Sequence, residues 1–225
     1  MPLTQLPLAE QFVLTLAALI LFTSFLLLAQ SRIISLIHTF AWQGALLFAA
    51  TCLMAITSGR HHLFISAGMT LLLKVFFIPW QLRRLVIKLD IRREVETVGS
   101  SSLIMIGGGA LVLFSYYVVL PIRELSFLNI RNTLAISLAV ILVGMLMIIT
   151  RRKAVAQVIG FMSMENGLFF AAVAATYGMP MVVELGIAFD ILVAAILFGI
   201  FFFQLRSGIG SLDVDHLNRL HEVDR

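Results

Sequence analysis

Along the chain, long apolar runs alternate with short polar breaks, and the runs have bilayer length. Seven of them lie near 12–31, 34–57, 62–82, 102–121, 132–150, 154–176 and 180–204. A helix rises about 1.5 Å per residue and needs roughly 20 apolar residues to cross the hydrocarbon core. The pattern therefore predicts an all-α, polytopic membrane protein with about seven transmembrane helices. The one long break runs from Leu82 to about Ser101. There Leu85, Val86, Leu89 and Val95 alternate with Lys88, Arg92, Arg93, Glu94 and Glu96, which predicts a helix leaving the bilayer or lying on its surface. Arg92 and Glu96 stand at i,i+4 in the weaker, base-first order. This stretch serves either as a solvated basic anchor or as a docking surface for a cytoplasmic partner.

Composition excludes a soluble domain: 60% of the 225 residues are hydrophobic and 12% charged, with a mean hydropathy of +1.04. Cys52 is the single cysteine, so no disulfide framework or thiolate metal site is available. No zinc spacing, P-loop or dinucleotide fingerprint occurs, and Gly107–Gly109 lie inside an apolar run rather than a phosphate loop. No cofactor, metal or nucleic acid is therefore expected; the lipid bilayer is. The start, MPLTQLPLAEQ, lacks the basic region of a signal peptide, so the first span is expected to stay. Basic residues set the orientation. With the N-terminus outside, Arg32, Arg83, Arg84, Lys88, Arg92, Arg93, Arg151, Arg152, Lys153, Arg206, Arg219 and Arg225 fall inside, and only Arg60, Arg123 and Arg131 outside. Twelve against three predicts a cytoplasmic C-terminus.

The chain also repeats itself. QGALLFAA at Gln43–Ala50 lies over ENGLFFAA at Glu165–Ala172, an offset of 122; QLR at Gln81–Arg83 lies over QLR at Gln204–Arg206, an offset of 123. Leu89-Asp90-Ile91 matches Leu212-Asp213-Val214 in that second register. Two parallel three-helix units follow, joined by a helix that preserves orientation: 1–101 with helices 1–3 and the basic loop, 102–129 with the connecting helix 4, and 130–225 with helices 5–7 and the tail.

Ionisable groups inside the spans are the candidate chemistry. Glu165, followed by Asn166, sits near the middle of 154–176, where an ionised acid costs on the order of 3 kcal/mol. Its repeat counterpart is the neutral Gln43. Asp190 is well inside the last span; Glu184 is in the first turn after Pro180, where the helix dipole favours an acid. Lys74 continues a polar stripe at four-residue spacing with Ser66 and Thr70, too deep to snorkel easily. Lys74 is either a proton station or the fixed counter-ion of Glu165 or of an acid on a partner subunit. His38, at the inner end of helix 2, is a secondary candidate that reads first as a hydrated boundary residue. Gly107–Gly109 are expected to let helix 4 approach a neighbour; Tyr116, Tyr117, Trp42 and Trp80 suit interface or packing roles.

The basic cluster Arg151–Lys153, the helix VIGFMSMENGLFFAA, the following helix with its acid and the tail QLR…LDVD resemble the K subunit of bacterial complex I and the C subunit of Mrp-type antiporters, over roughly 130–215. The seven-helix layout resembles the hydrogenase-4 membrane component E family over nearly the whole chain. One departure stands out: after Gly160 the K-subunit pattern has a glutamate where this chain has Met162, and Glu165 follows a turn later. The resemblance implies a bacterial cytoplasmic-membrane subunit of a complex-I-like hydrogenase, such as a formate hydrogenlyase. It would be non-catalytic and free of redox cofactor. Its partners would be antiporter-like subunits and a component like the complex I H subunit. Two alternatives stand beside proton coupling: a scaffold without a proton path, and a part of a cation/proton antiporter.

Overall fold

The computed structural model describes residues 8–59, 61–88, 95, 97, 99–121, 128–176, 186, 188–196 and 199. Among them all regular elements are helices: α1 (Leu8–Ala29), α2 (Ile33–Ser58), α3, α4 (Ser101–Val119), α5 (Leu128–Thr150) and α6 (Ala154–Thr176). α3 begins as His61–Thr70, widens into a π-helical stretch at Leu71–Phe77, and resumes as Ile78–Lys88. Residues 188–196 are helical too, inside the seventh predicted span. All six long helices are apolar enough to cross a bilayer. The protein is thus a polytopic α-helical membrane protein. Glu184, the Arg92–Glu96 pair and the tail from 200 onward lie outside the described residues.

Local signals account for the breaks. Gly59 ends α2 at φ 65°, a left-handed cap that costs a residue with a Cβ about 1 kcal/mol. Ser100, extended, opens α4. The third helix continues beyond Leu82 to Lys88, with Leu82, Leu85 and Val86 buried and Arg83 and Arg84 exposed. Arg84 lies over the Trp80 ring at 5.2 Å. Val95 then docks under the bundle, its N–H bonded to the Ser31 carbonyl at 2.7 Å.

Lipid is as apolar as the side chains it would compete with, so close packing holds membrane helices together. α5 and α6 have the most extensive interface, and glycines make it possible. A Cβ on Gly144 would sit 2.7 Å from the Met164 nitrogen; one on Gly167 would sit 3.0 Å from the Ser137 oxygen. Gly160 faces the Gly144 carbonyl in the same way. In the Gly107–Gly109 run only Gly108 makes a close approach, to Phe25 and Leu28 of α1; Gly109 has nothing near it.

α1 packs on α2 and α5, and α2 on α3 and α6. Arg151, in the short link between α5 and α6, is buried; its Nη2 donates to the Leu28 carbonyl at 2.5 Å and the Leu27 carbonyl at 3.3 Å. A cation thus meets the open carbonyls at the α1 C-terminus, where the helix dipole favours it. Burial pulls this guanidinium below its ordinary pKa. Two apolar cores result. One, toward this basic end, holds Leu27, Leu36, Phe40, Ile78, Leu82 and Ile159; the other holds Ala17, Ile20, Leu47, Val140, Phe169 and Phe170. Gln43 of α2 and Glu165 and Asn166 of α6 lie between them.

Candidate functional site

Lys74, Glu165 and Gln43 each fall within about two residues of the middle of their spans, Leu63–Ile87, Ala154–Ala174 and Ile33–Thr57. They share one depth near the bilayer midplane. There an exposed charge is expensive, and charged or polar groups face inward to one another. The π-helical stretch sets the position of Lys74, which stands at its centre. Gly44 of α2 accommodates it: a Cβ there would lie 3.1 Å from the Lys74 Cβ and 3.4 Å from its carbonyl oxygen. A widened turn and a missing side chain bring the two helices together, in keeping with the frequency of π-bulges at functional sites.

Lys74 has no exposed surface. Its Nζ donates to Glu165 Oε2, and to Asn166 Oδ1 at 2.7 Å; Asp190 Oδ2 stands 3.6 Å away. The ammonium also lies 5.5 Å from the centre of the Phe169 ring. α3, α6 and the helical segment 188–196 therefore converge on one cation. Gly186, one turn before Asp190, lets that segment close on Glu165; a Cβ there would come within 3.1 Å of Glu165 Oε1 and of the Phe169 ring. Glu165 Oε1 and Asp190 Oδ1 are buried without a hydrogen-bond partner.

Behind Asn166 runs a chain of side chains whose direction is fixed from one end. The Ser24 hydroxyl donates to the Ile20 carbonyl at 3.0 Å, so its oxygen is left to accept. Gln43 Nε2 donates to that oxygen at 2.8 Å and to Ser163 Oγ at 3.1 Å. Gln43 Oε1 must then face Asn166, whose Nδ2 donates to it at 3.0 Å. The carbonyl oxygen of Asn166 is thereby turned to Lys74. Each amide is oriented by the one before it, starting from a backbone carbonyl that cannot flip. Lys74 meets acceptors only, which suits an ammonium with three donors. Amides and hydroxyls in this arrangement orient the lysine; Lys74 and the two carboxylates are the ionisable members of the cluster.

Of the sequence candidates, the structure brings Lys74, Glu165, Asp190, Gln43 and Asn166 into one cluster. His38 is exposed, on a groove of about 250 Å³ formed with Ala41, Trp42, Ala45 and Val75. Ser24, Ser163 and Phe169 join the cluster without having been singled out. A serine in an apolar helix is too common a residue to flag itself. Among the described residues no group of three or more His, Cys, Asp or Glu gathers as metal ligands would.

Comparison with known proteins fixes the chain's kinship. It is 32% identical over 190 residues to the Uncharacterized protein Rv0085 of Mycobacterium tuberculosis, covering 84% of this chain and 86% of that one. The chain belongs to the family of Rv0085. It is also a distant homologue of Hydrogenase-4 component E from Escherichia coli K12, with 23% identity over 205 residues, 91% of this chain and 95% of that protein. The Shigella flexneri protein of the same name matches equally. No family model and no solved structure matches.

Proposed function

We propose that this member of the Rv0085 family is a non-catalytic membrane subunit of a complex-I-like, energy-converting hydrogenase of the hydrogenase-4 type. In it, Lys74, Glu165 and Asp190 couple the complex to proton movement. The distant homology to Hydrogenase-4 component E over most of both chains supports the setting. The observation that carries the chemistry is the buried meeting of two acids around one lysine from three helical segments. Fully ionised, the three groups sum to one negative charge in a site almost without exposure, an expensive state that one proton neutralises. Lys74 Nζ needs only a small rotation to exchange Glu165 for Asp190 at 3.6 Å. As the lysine moves to one carboxylate, the other is left to take a proton.

On this reading the partners are antiporter-like subunits and a component like the complex I H subunit, in a bacterial cytoplasmic membrane with the N-terminus outside. The repeat makes Gln43 the neutral counterpart of Glu165. A scaffold role is the second reading, favoured by the two direct bonds that hold Lys74 to Glu165 and Asn166.

Glu165→Gln separates the two. The amide still bonds to a neighbouring helix but exchanges no proton. Assembly and hydrogen evolution are expected to persist while proton translocation in membrane vesicles falls sharply. Translocation at the parental ratio to hydrogen would leave the scaffold reading.

A further inference from the structure

Gln81 is buried at 5% exposure, and neither its Nε2 nor its Oε1 has a hydrogen-bond partner. It shares the buried face of α3 with Lys74, Ile78, Leu82 and Leu85. Seven residues separate it from Lys74, about 10 Å along the helix, and six separate it from Ile87 at the basic end of the span, about 9 Å. An amide has two donors and up to two acceptor sites, and hydrocarbon satisfies none of them. Buried polar groups in native proteins are paired with protein or with ordered water. Ile78, Leu82 and Leu85, which share its face of the helix, are apolar and offer no partner.

We infer that Gln81 is a water-binding step between the basic end of the bundle and Lys74, so that the ion cluster is hydrated from that end. A second observation points the same way: Arg151 Nε, buried at the same end, also has no partner. Glu165 Oε1 and Asp190 Oδ1 are the unpartnered acceptors at the other end of the route. The ligand is water, ordered between an amide, a lysine and two carboxylates. This deepens the proposed reading of the cluster; accessibility to water does not depend on ion coupling, so the two fail separately.

Cys52 is the only native cysteine, which makes thiol modification a clean probe. In a Cys52→Ser background, membrane vesicles of either sidedness are treated with a charged, water-borne methanethiosulfonate. Gln81→Cys is expected to be modified from the side that modifies Arg152→Cys, an exposed position at the basic end, while the buried Leu82→Cys stays unmodified. Because a cysteine at 81 itself opens space, a second pair keeps the amide in question: Ile78→Cys with Gln81 intact is expected to react about tenfold faster than with Gln81→Leu, the loss of about one good hydrogen bond. An unreactive Gln81→Cys, modification from the opposite side, equal reaction at Leu82→Cys, or an Ile78→Cys rate indifferent to Gln81→Leu would each overturn the inference.

Discussion

Replacing Lys74 by methionine removes one nitrogen and strands three oxygens at once. Glu165 Oε2 and Asn166 Oδ1 lose their donor, Asp190 Oδ2 loses its nearest cation at 3.6 Å, and Glu165 Oε1 and Asp190 Oδ1 have no partner to begin with. Removing one member of a buried ion pair typically costs about 3–5 kcal/mol, since the other charge is left uncompensated. The opposite deletion is milder. In Glu165→Gln the ammonium keeps Asn166 and has Asp190 close enough to draw in, so the cost is that of one charged hydrogen bond, about 1.5–3 kcal/mol at most. The double variant Lys74→Met/Glu165→Gln takes away the stranded charge with the cation and is expected to be more stable than Lys74→Met alone. Unfolding of the purified protein in mixed SDS and dodecyl maltoside micelles, followed by circular dichroism, gives the three free energies. If Lys74→Met costs no more than Glu165→Gln, or if the double variant is worse than Lys74→Met, the cation is not the hub of the cluster.

In the same unfolding assay, Gly144→Ala should destabilise by about 1–3 kcal/mol, because its Cβ would meet backbone atoms of Met164 at 2.7 and 2.9 Å that have no flexible end to yield. Ser24→Ala should cost about 1 kcal/mol through loss of the acceptor that anchors Gln43. Ser24→Thr, which keeps a hydroxyl able to bond the Ile20 carbonyl, should recover most of it.

The hydrophobic runs alone determined that this is a multi-span helical protein, because in a bilayer the backbone must satisfy itself and length then identifies each helix. They also made Lys74, Glu165 and Asp190 conspicuous, since a charge in such a run is rare for energetic reasons. Sequence spacing could not say that the three meet. That depended on how α3, α6 and the segment 188–196 pack, and on the π-helical turn at Leu71–Phe77, which an unbroken apolar stretch does not announce. Glycines at 44, 144, 160 and 186 read as neutral letters in the sequence; only the packed helices revealed that the first three admit a neighbour at backbone distance and the last admits the Glu165 and Phe169 side chains. Arg151 shows the same division. Its charge marked an end of the bundle, but the carbonyls of α1 that it satisfies belong to a helix more than a hundred residues earlier. Polarity along a chain fixes which groups cannot be left in lipid; which partner relieves each of them is decided by contacts far apart in sequence.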